Sequence, residues 1–301
     1  MSVRAIYHVI RWLIRDTLSQ ALTSGVFWFM TAVSAVTILI CLTASVPSEA
    51  SDRLELGFGI ISLPAENGMP SVVRSTEVML ATVVADVVGL LLALLWTAGF
   101  LPGFLESSTA SVLLAKPAPR WVLLTGKIVG VLTFVALQTA VFVTGTWFAL
   151  GVRTGVWDAT YLFCIPLLVL HFAVFFSFSA MLAVMTRSPT ACVFGSVLFW
   201  GLCWGMNLGR HVTHVVPELH GVSTVLAAST EIGYWVLPKP FDFELSISDH
   251  LQPGDVFFRL VSTQRLSEHN AWSPIASLMA SVAAAAVLLG LATYEFVSAD
   301  Y

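Results

Sequence analysis

The stretch GFLESSTASVLLAKPAPRWVLLTGK, from Gly103 to Lys127, is a polar island between two apolar segments that are each long enough to cross a bilayer. It opens with an acid and hydroxyl cluster, passes through a short apolar turn at Leu113 and Leu114, and closes on prolines and basic residues. Negative charge and side-chain oxygens suit the start of a helix, whereas a proline ring stops one. The pattern predicts a short, rigid helix with a basic end in a loop between two spans, which is a docking site for a cytoplasmic partner.

The composition identifies an integral membrane protein. Of the 301 residues, 57% are hydrophobic and only 11% are charged, whereas soluble domains carry roughly a quarter charged residues. The predicted fold is all-α, with about six transmembrane helices. Apolar windows of about 20 residues, the length that spans a bilayer, lie near 23–46, 78–101, 127–150, 159–185, 190–209 and 274–297. The net charge of −4 gives no reason to expect a nucleic-acid partner.

The N-terminal residues 1–20 predict an amphipathic helix on the membrane surface. The apolar residues of VRAIYHVIRWLIRD share one helical face, and the arginines lie elsewhere, which is typical of an interfacial helix. A solvated helix that packs on another protein is the alternative. Lys and Arg in short loops set the orientation of a membrane protein. Most of them fall on one side: Arg4, Arg11, Arg15, Lys116, Arg120, Lys127 and Arg187. Both termini are therefore predicted on the cytoplasmic side of the inner membrane.

The segment 210–273 is predicted to be an outer loop. Val222 to Pro238 is apolar enough to form an interfacial or re-entrant helix that Pro238 stops, and a second short helix is expected near 253–266. The loop begins with a cluster of histidines and one acid: His211, His214, Glu218 and His220. We interpret this cluster as solvated at the membrane edge, with a metal site as the weaker alternative because no further ligand completes the set.

No pattern of catalytic residues is visible, so we expect no enzyme activity, cofactor or metal in this chain. The pair Gly126-Lys127 lacks the earlier glycine and the following Ser or Thr of a phosphate loop. Energy must then come from a partner or from a gradient. Asp86 falls within the predicted second span, where an ionisable side chain is costly and often functional. A transport or gating role and a structural role both stay open for it, whereas His171 and Gln138 are expected to form interhelical hydrogen bonds.

Three glycines on the predicted fifth span are spaced four residues apart: Gly201, Gly205 and Gly209. Small residues at this spacing let two helix backbones approach closely. Packing within one chain and contact with a second subunit are both consistent with the strip. We take the second as the dimer-interface hypothesis.

The polar island resembles the inner loop of ABC-2 type transporter permeases, notably the branch akin to the copper-maturation permease of nitrous oxide reductase clusters. Ser108 stands where that family usually has a glycine. The resemblance covers nearly the whole chain and implies one transmembrane domain over 1–301, with a cytoplasmic coupling loop at 102–126. The residues that carry it are Glu106, Thr109, Leu113, Leu114, Pro117, Arg120, Gly126 and Lys127.

The resemblance also implies a function. Such a chain is the permease subunit of an ABC transporter, which exports a substrate and pairs with a second permease chain, in a homodimer or heterodimer, through the first and fifth spans. A separate ATPase subunit docks on the coupling helix. The coupling residues are then Glu106, Ser107, Thr109, Leu113, Leu114, Lys116, Pro117 and Arg120. The alternatives are a non-transporting membrane anchor for an ATPase and a gradient-driven carrier that uses Asp86.

Overall fold

The computed structural model describes residues 3–45, 53–64, 68–105, 119–215, 224–251, 266 and 272–298. Within these residues, six helices are long and apolar enough to cross a membrane, which confirms the predicted all-α fold with about six spans. We number them as spans in chain order. They are Gly25–Leu42, Met69–Phe104, Arg120–Thr154, Ala159–Thr186, Pro189–Thr213 and Pro274–Ser298.

The fourth span is the centre of the bundle. In its most apolar window 61% of residues are buried, against 17% in the first span and 22% in the fifth and sixth. Its buried aromatic residues, Phe172, Phe175 and Phe176, pack into the main apolar core. The first, fifth and sixth spans therefore turn most of their apolar surface away from the rest of the chain.

The second span contains a long π-helical stretch. It is α-helical over Met69–Met79, π-helical over Leu80–Gly89 and α-helical again over Leu90–Thr97, and a short helix, Phe100–Leu105, follows. The span starts well before the predicted position near 78, because Pro70 stands in the first turn, where proline does not break a helix. Pi-helical segments are rare and are found frequently at functional sites.

The third span is longer than a bilayer requires. Its 35 residues extend for about 52 Å at 1.5 Å per residue, beyond the hydrocarbon core of about 30 Å. It begins at Arg120, directly after Pro119, and ends before Gly155, whose φ of 74° is left-handed. Residues 102–105 belong to the short helix before the predicted coupling loop, and residues 120–126 belong to the third span. Both ends of the loop predicted at 102–126 are thus helical.

The N-terminal helix, Val3–Thr23, packs against the beginning of the third span. Leu13 and Thr17 are buried, whereas Arg4, Arg11 and Arg15 are exposed. The apolar side is thus turned toward the bundle and the basic side away from it. The helix runs a few residues past the predicted end at 20, and a single residue, Ser24, separates it from the first span.

A β-hairpin links the first two spans. Strands Arg53–Leu56 and Ile61–Pro64 are antiparallel, with Leu56 opposite Ile61. No sequence pattern singled out these strands, because each has only four residues. Gly57 and Gly59 at the turn have left-handed φ values of 63° and 88°, and the Gly57 amide donates to Thr43 Oγ1 at 2.8 Å.

The segment predicted as the outer loop contains more helix than expected. The helix of the fifth span continues to Val215, and two further helices follow, Thr224–Val236 and Pro240–Leu251. The first of these two agrees with the helix predicted between Val222 and Pro238. The second begins at a proline, which is favoured in a first turn. The helix predicted near 253–266 lies outside the described residues except at its last position.

The two ends of the bundle are distinct. At one end the N-terminal helix and the last turn of the sixth span both meet the beginning of the third span. At the other end lie the hairpin, the helices Thr224–Val236 and Pro240–Leu251, and an ion pair in which Arg74 Nε is 2.6 Å from Asp158 Oδ2. The described terminal helices therefore end on the same side, called here the terminal end, and the opposite side is called the hairpin end.

Candidate functional site

The predicted coupling loop leaves the bundle at the terminal end. Its residues Glu106 to Pro117, including Ser107, Thr109, Leu113, Leu114 and Lys116, lie outside the described residues, so their roles stay predictions. Arg120 is described, and its Nη1 donates to the carbonyl oxygen of Val297 at 3.3 Å. This bond joins the loop's return point to the last turn of the sixth span.

A buried lysine lies at the base of this loop. Lys127 is only 1% exposed, and its Nζ donates to Asp16 Oδ2 at 3.2 Å and to Gln20 Oε1 at 2.9 Å. The ring centres of Phe100 and Phe104 lie 5.5 and 5.9 Å from the same nitrogen. Lys127 closes the polar stretch in the sequence, but in the structure its side chain is turned into the bundle, where it pairs with an acid on the N-terminal helix.

Two glycines allow this junction to close. A Cβ atom at Gly126 would lie 2.4 Å from Leu13 Cδ1, and one at Gly130 would lie 2.7 Å from Thr17 Oγ1. Both distances are too short for any side chain, so glycine permits the N-terminal helix to press against the third span. Lys127 consequently ties together the N-terminal helix, the end of the second span and the start of the third, on either side of the loop.

Asp86 forms the second candidate site, near the middle of the second span. It is 4% exposed and lies inside the π-helical stretch. One carboxylate oxygen is hydrogen-bonded to Nδ1 of His171 on the fourth span. The His171 ring stacks on Phe243 with 4.4 Å between ring centres. Gln138 donates to Ser34 Oγ at 3.1 Å, so both residues expected to make interhelical hydrogen bonds do so.

A cavity of about 60 Å³ lies beside Asp86, between the first four spans. Most of its wall is apolar. Its polar lining residues are Ser34, Asp86, Gln138 and Thr139. A carboxyl group beside such a space is the kind of intramembrane group that marks a substrate or ion path.

The third site is a buried network at the hairpin end, centred on Asp242. Its carboxylate accepts from Asn207 Nδ2 at 2.9 Å, from the Tyr234 hydroxyl at 2.8 Å and from the Ser277 hydroxyl. His211 Nε2 lies 2.5 Å from the same group. The network joins the fifth and sixth spans to both helices between them.

A lysine and an arginine flank this network. The Arg210 guanidinium lies 3.9 Å from the centre of the Tyr234 ring and pairs with Glu231 at 2.7 Å. Lys239 is fully buried, and its Nζ lies 4.7 Å from the same ring and 5.6 Å from that of Trp235. Because aromatic faces attract cations, these rings partly replace the water that the lysine loses.

Burial and charge set the pKa values at this end of the bundle. Burial raises the pKa of Asp242, but the hydrogen bonds and charge of its partners outweigh burial and hold that pKa below its ordinary value. Burial lowers the pKa of Lys239, and the charge of Asp242 opposes that shift. Burial, followed by the charge of Asp86, raises the pKa of Glu244 to about 7. Glu244 thus titrates near neutral pH, next to the Asp86 site.

The sequence did not reveal the Asp242 network, because 210–273 was interpreted as an outer loop and its histidine cluster as solvated at the membrane edge. His211 is buried rather than solvated, so that interpretation was wrong for it. The side chains of His214, Glu218 and His220 lie outside the described residues. Asn207 and His211, one helical turn apart beside Arg210, were the available signal. Among the described residues, no group of three His, Cys, Asp or Glu side chains is arranged to hold a metal ion.

The three glycines of the fifth span face different surroundings. Within the described part of the chain, a Cβ at Gly201 or Gly205 would meet nothing within 4 Å, whereas one at Gly209 would lie 3.5 Å from Thr230 Cγ2. Gly209 therefore faces the helix Thr224–Val236 of the same chain. Gly201 and Gly205 face outward, and the dimer interface stays a hypothesis for them.

Comparison with known proteins agrees with this architecture. Residues 11–301 match the family described as ABC-2 family transporter protein, which is nearly the whole chain. No curated protein matches the chain. Six spans and this match make it a multi-pass membrane protein and a permease component, whose family implies an ABC ATPase as partner. The chain belongs to the ABC-2 family of transporter proteins and is a permease subunit of an ABC transporter.

Proposed function

We propose that two copies of this permease pair in the inner membrane, recruit two copies of a separate ABC ATPase through the loop that includes Glu106 to Arg120, and export a substrate through the pair. ATP binding closes the ATPases and moves the coupling helices. The spans then rearrange and open a path. The residues of the loop carry the coupling, and the glycines Gly201 and Gly205 the pairing.

The observation that carries this proposal is the buried junction at Lys127. The loop is flanked by helices that a single ammonium group connects to the N-terminal helix, with distances of 2.9 and 3.2 Å to its oxygen partners. Charged hydrogen bonds that are buried in this way are strong and directional. A push on the loop therefore reaches the second and third spans and the N-terminal helix together, which is what a mechanical coupling needs.

Affinity purification tests the proposed partner. We expect the tagged full-length chain, extracted gently from its native membranes, to retain an ABC ATPase in equal molar amount, because the chain's own Gly126-Lys127 pair is buried inside a helix and is not a phosphate loop. Quantitative mass spectrometry measures the ratio. Absence of any ABC ATPase contradicts the proposal, and a retained ATPase whose hydrolysis no substrate stimulates favours the non-transporting anchor instead.

The orientation has its own test. We propose that the terminal end is cytoplasmic, because Arg4, Arg11 and Arg15 are exposed there and basic residues favour the cytoplasmic side. Cysteine in place of the exposed Asp249 at the hairpin end should then react with an impermeant maleimide in intact cells, and cysteine in place of Thr190 only after lysis. The native cysteines are all buried and give a low background. The reverse labelling pattern inverts the topology.

A further inference from the structure

The cavity beside Asp86 is larger than a single water molecule requires. Its volume is about 60 Å³, and one water molecule needs about 10–15 Å³ of such space. An occupant of several atoms therefore fits between the first four spans. Its polar wall atoms come from the first three spans, and Phe142 and Phe172 contribute aromatic surface.

The carboxylate of Asp86 is short of hydrogen-bond donors. A carboxylate accepts up to about four hydrogen bonds, yet His171 is the one partner that Asp86 has among the described residues. Burying an ionised group with so few partners is costly. Because Asp86 lines the cavity, the missing donors must come from what occupies it.

The protonation of His171 follows from its surroundings. Its Nε2 is buried and has no hydrogen-bond partner within the described ranges. A protonated ring would leave a buried N–H without an acceptor, which costs free energy. The form that fits is the neutral ring that donates from Nδ1, and it leaves Asp86 ionised. The pair then carries one negative charge inside the membrane, and Glu244 on the neighbouring helix adds no compensating positive charge.

Gln138 gives the wall a second acceptor. Ser34 donates its hydroxyl hydrogen to the Met30 carbonyl at 3.1 Å, and Gln138 therefore uses its amide nitrogen on Ser34 Oγ. The Gln138 carbonyl oxygen is left for the cavity. A divalent metal ion prefers six or more oxygen ligands, which one carboxylate and an amide do not supply. An ammonium group suits a carboxylate, a carbonyl oxygen and nearby aromatic faces.

We propose that this cavity binds the protonated amine of a small molecule, with Asp86 as counter-ion and the Gln138 carbonyl oxygen as second acceptor. Amines are then the substrate class of the permease, a step that rests on the proposed transport function. The binding itself does not depend on ATP or on the ATPase. Failure of amine binding and failure of ATPase recruitment are consequently separate results.

Equilibrium binding of radiolabelled methylammonium to the purified full-length chain in nanodiscs tests the site. We expect saturable binding that propylammonium displaces and that propanol and sodium do not. Asp86→Asn keeps the shape and loses the charge, so its affinity should fall at least tenfold. Glu77→Gln is the matched control, because Glu77 is an equally buried acid on the same span that does not line the cavity. It should bind as the wild type does.

A second variant of the cavity keeps the test decisive if the Asp86→Asn protein does not fold. Ala85 lines the cavity, and Ala85→Leu fills the cavity while keeping the Asp86 carboxylate, so binding should disappear. Wild-type protein without saturable binding overturns the proposal. Equal affinity in the wild type and either cavity variant does so too, and equal competition by sodium rules out an amine site.

Discussion

Replacing Leu113 and Leu114 together by aspartate is expected to remove the ATPase from the purified permease, with the co-purified amount falling at least tenfold. These leucines are the apolar centre of the predicted coupling helix, and the resemblance to ABC-2 permeases implies that this helix fits a groove on the ATPase. A carboxylate in such a groove loses its water without gaining a partner. Quantitative mass spectrometry of the tagged complex measures the loss.

Ser188→Asp is the control for this double substitution. Ser188 lies in the turn between the fourth and fifth spans, at the same end of the bundle, and its Oγ accepts from the Ala191 amide at 3.4 Å. Aspartate accepts the same bond, so the variant adds negative charge without disturbing the helix start. Its ATPase should stay bound. The double aspartate variant and the wild type must reach the same amount in the membrane. If the variant then still retains as much ATPase as the wild type, the docking site lies elsewhere.

Gly205→Leu is expected to shift the solubilised permease from dimer to monomer. Helix association in lipid depends on close van der Waals approach, because lipid is as apolar as leucine. Among the described residues, no atom lies within 4 Å of a Cβ at Gly205, so the added side chain starts in open space on its own subunit. Any loss of mass therefore reports a partner helix that is held away. Light scattering of the detergent complex gives the mass.

Gly290→Leu is the matched control for the dimer. Gly290 lies on the sixth span and is exposed, and no atom of the residues that the structure describes lies within 4 Å of a Cβ there. The same substitution there should leave the mass unchanged. If Gly205→Leu also keeps the wild-type mass, Gly201 and Gly205 face lipid and the subunits meet on another surface.

The spans were predictable because the length of an apolar run is a property of the sequence alone. The predicted windows failed only at their ends. The second span starts earlier because Pro70 can begin a helix, and the third starts at Arg120 because nothing after Pro119 breaks it. Asp86 was also predictable as an unusual residue, since an ionisable side chain within an apolar run can be recognised from the sequence alone.

The partners of buried polar groups were not predictable. Lys127 looked like the basic end of a loop, yet Asp16, which pairs with it, lies 111 positions earlier in the chain. Asp242 lies in a segment that composition assigns to a loop, and its donors come from the fifth and sixth spans and from Tyr234. Such bonds depend on which helices become neighbours, and local patterns do not encode that choice.

The central claim is that ATP hydrolysis by a separate ATPase subunit drives this membrane subunit. ATP hydrolysis tests it most directly, measured for the ATPase alone and for its complex with the permease in nanodiscs. The account predicts that the rate of hydrolysis changes severalfold when the wild-type permease joins the ATPase. With the variant that carries Leu113→Asp and Leu114→Asp, the rate should equal that of the isolated ATPase. An ATPase that hydrolyses at one rate with the wild-type permease, with the variant and by itself contradicts the account.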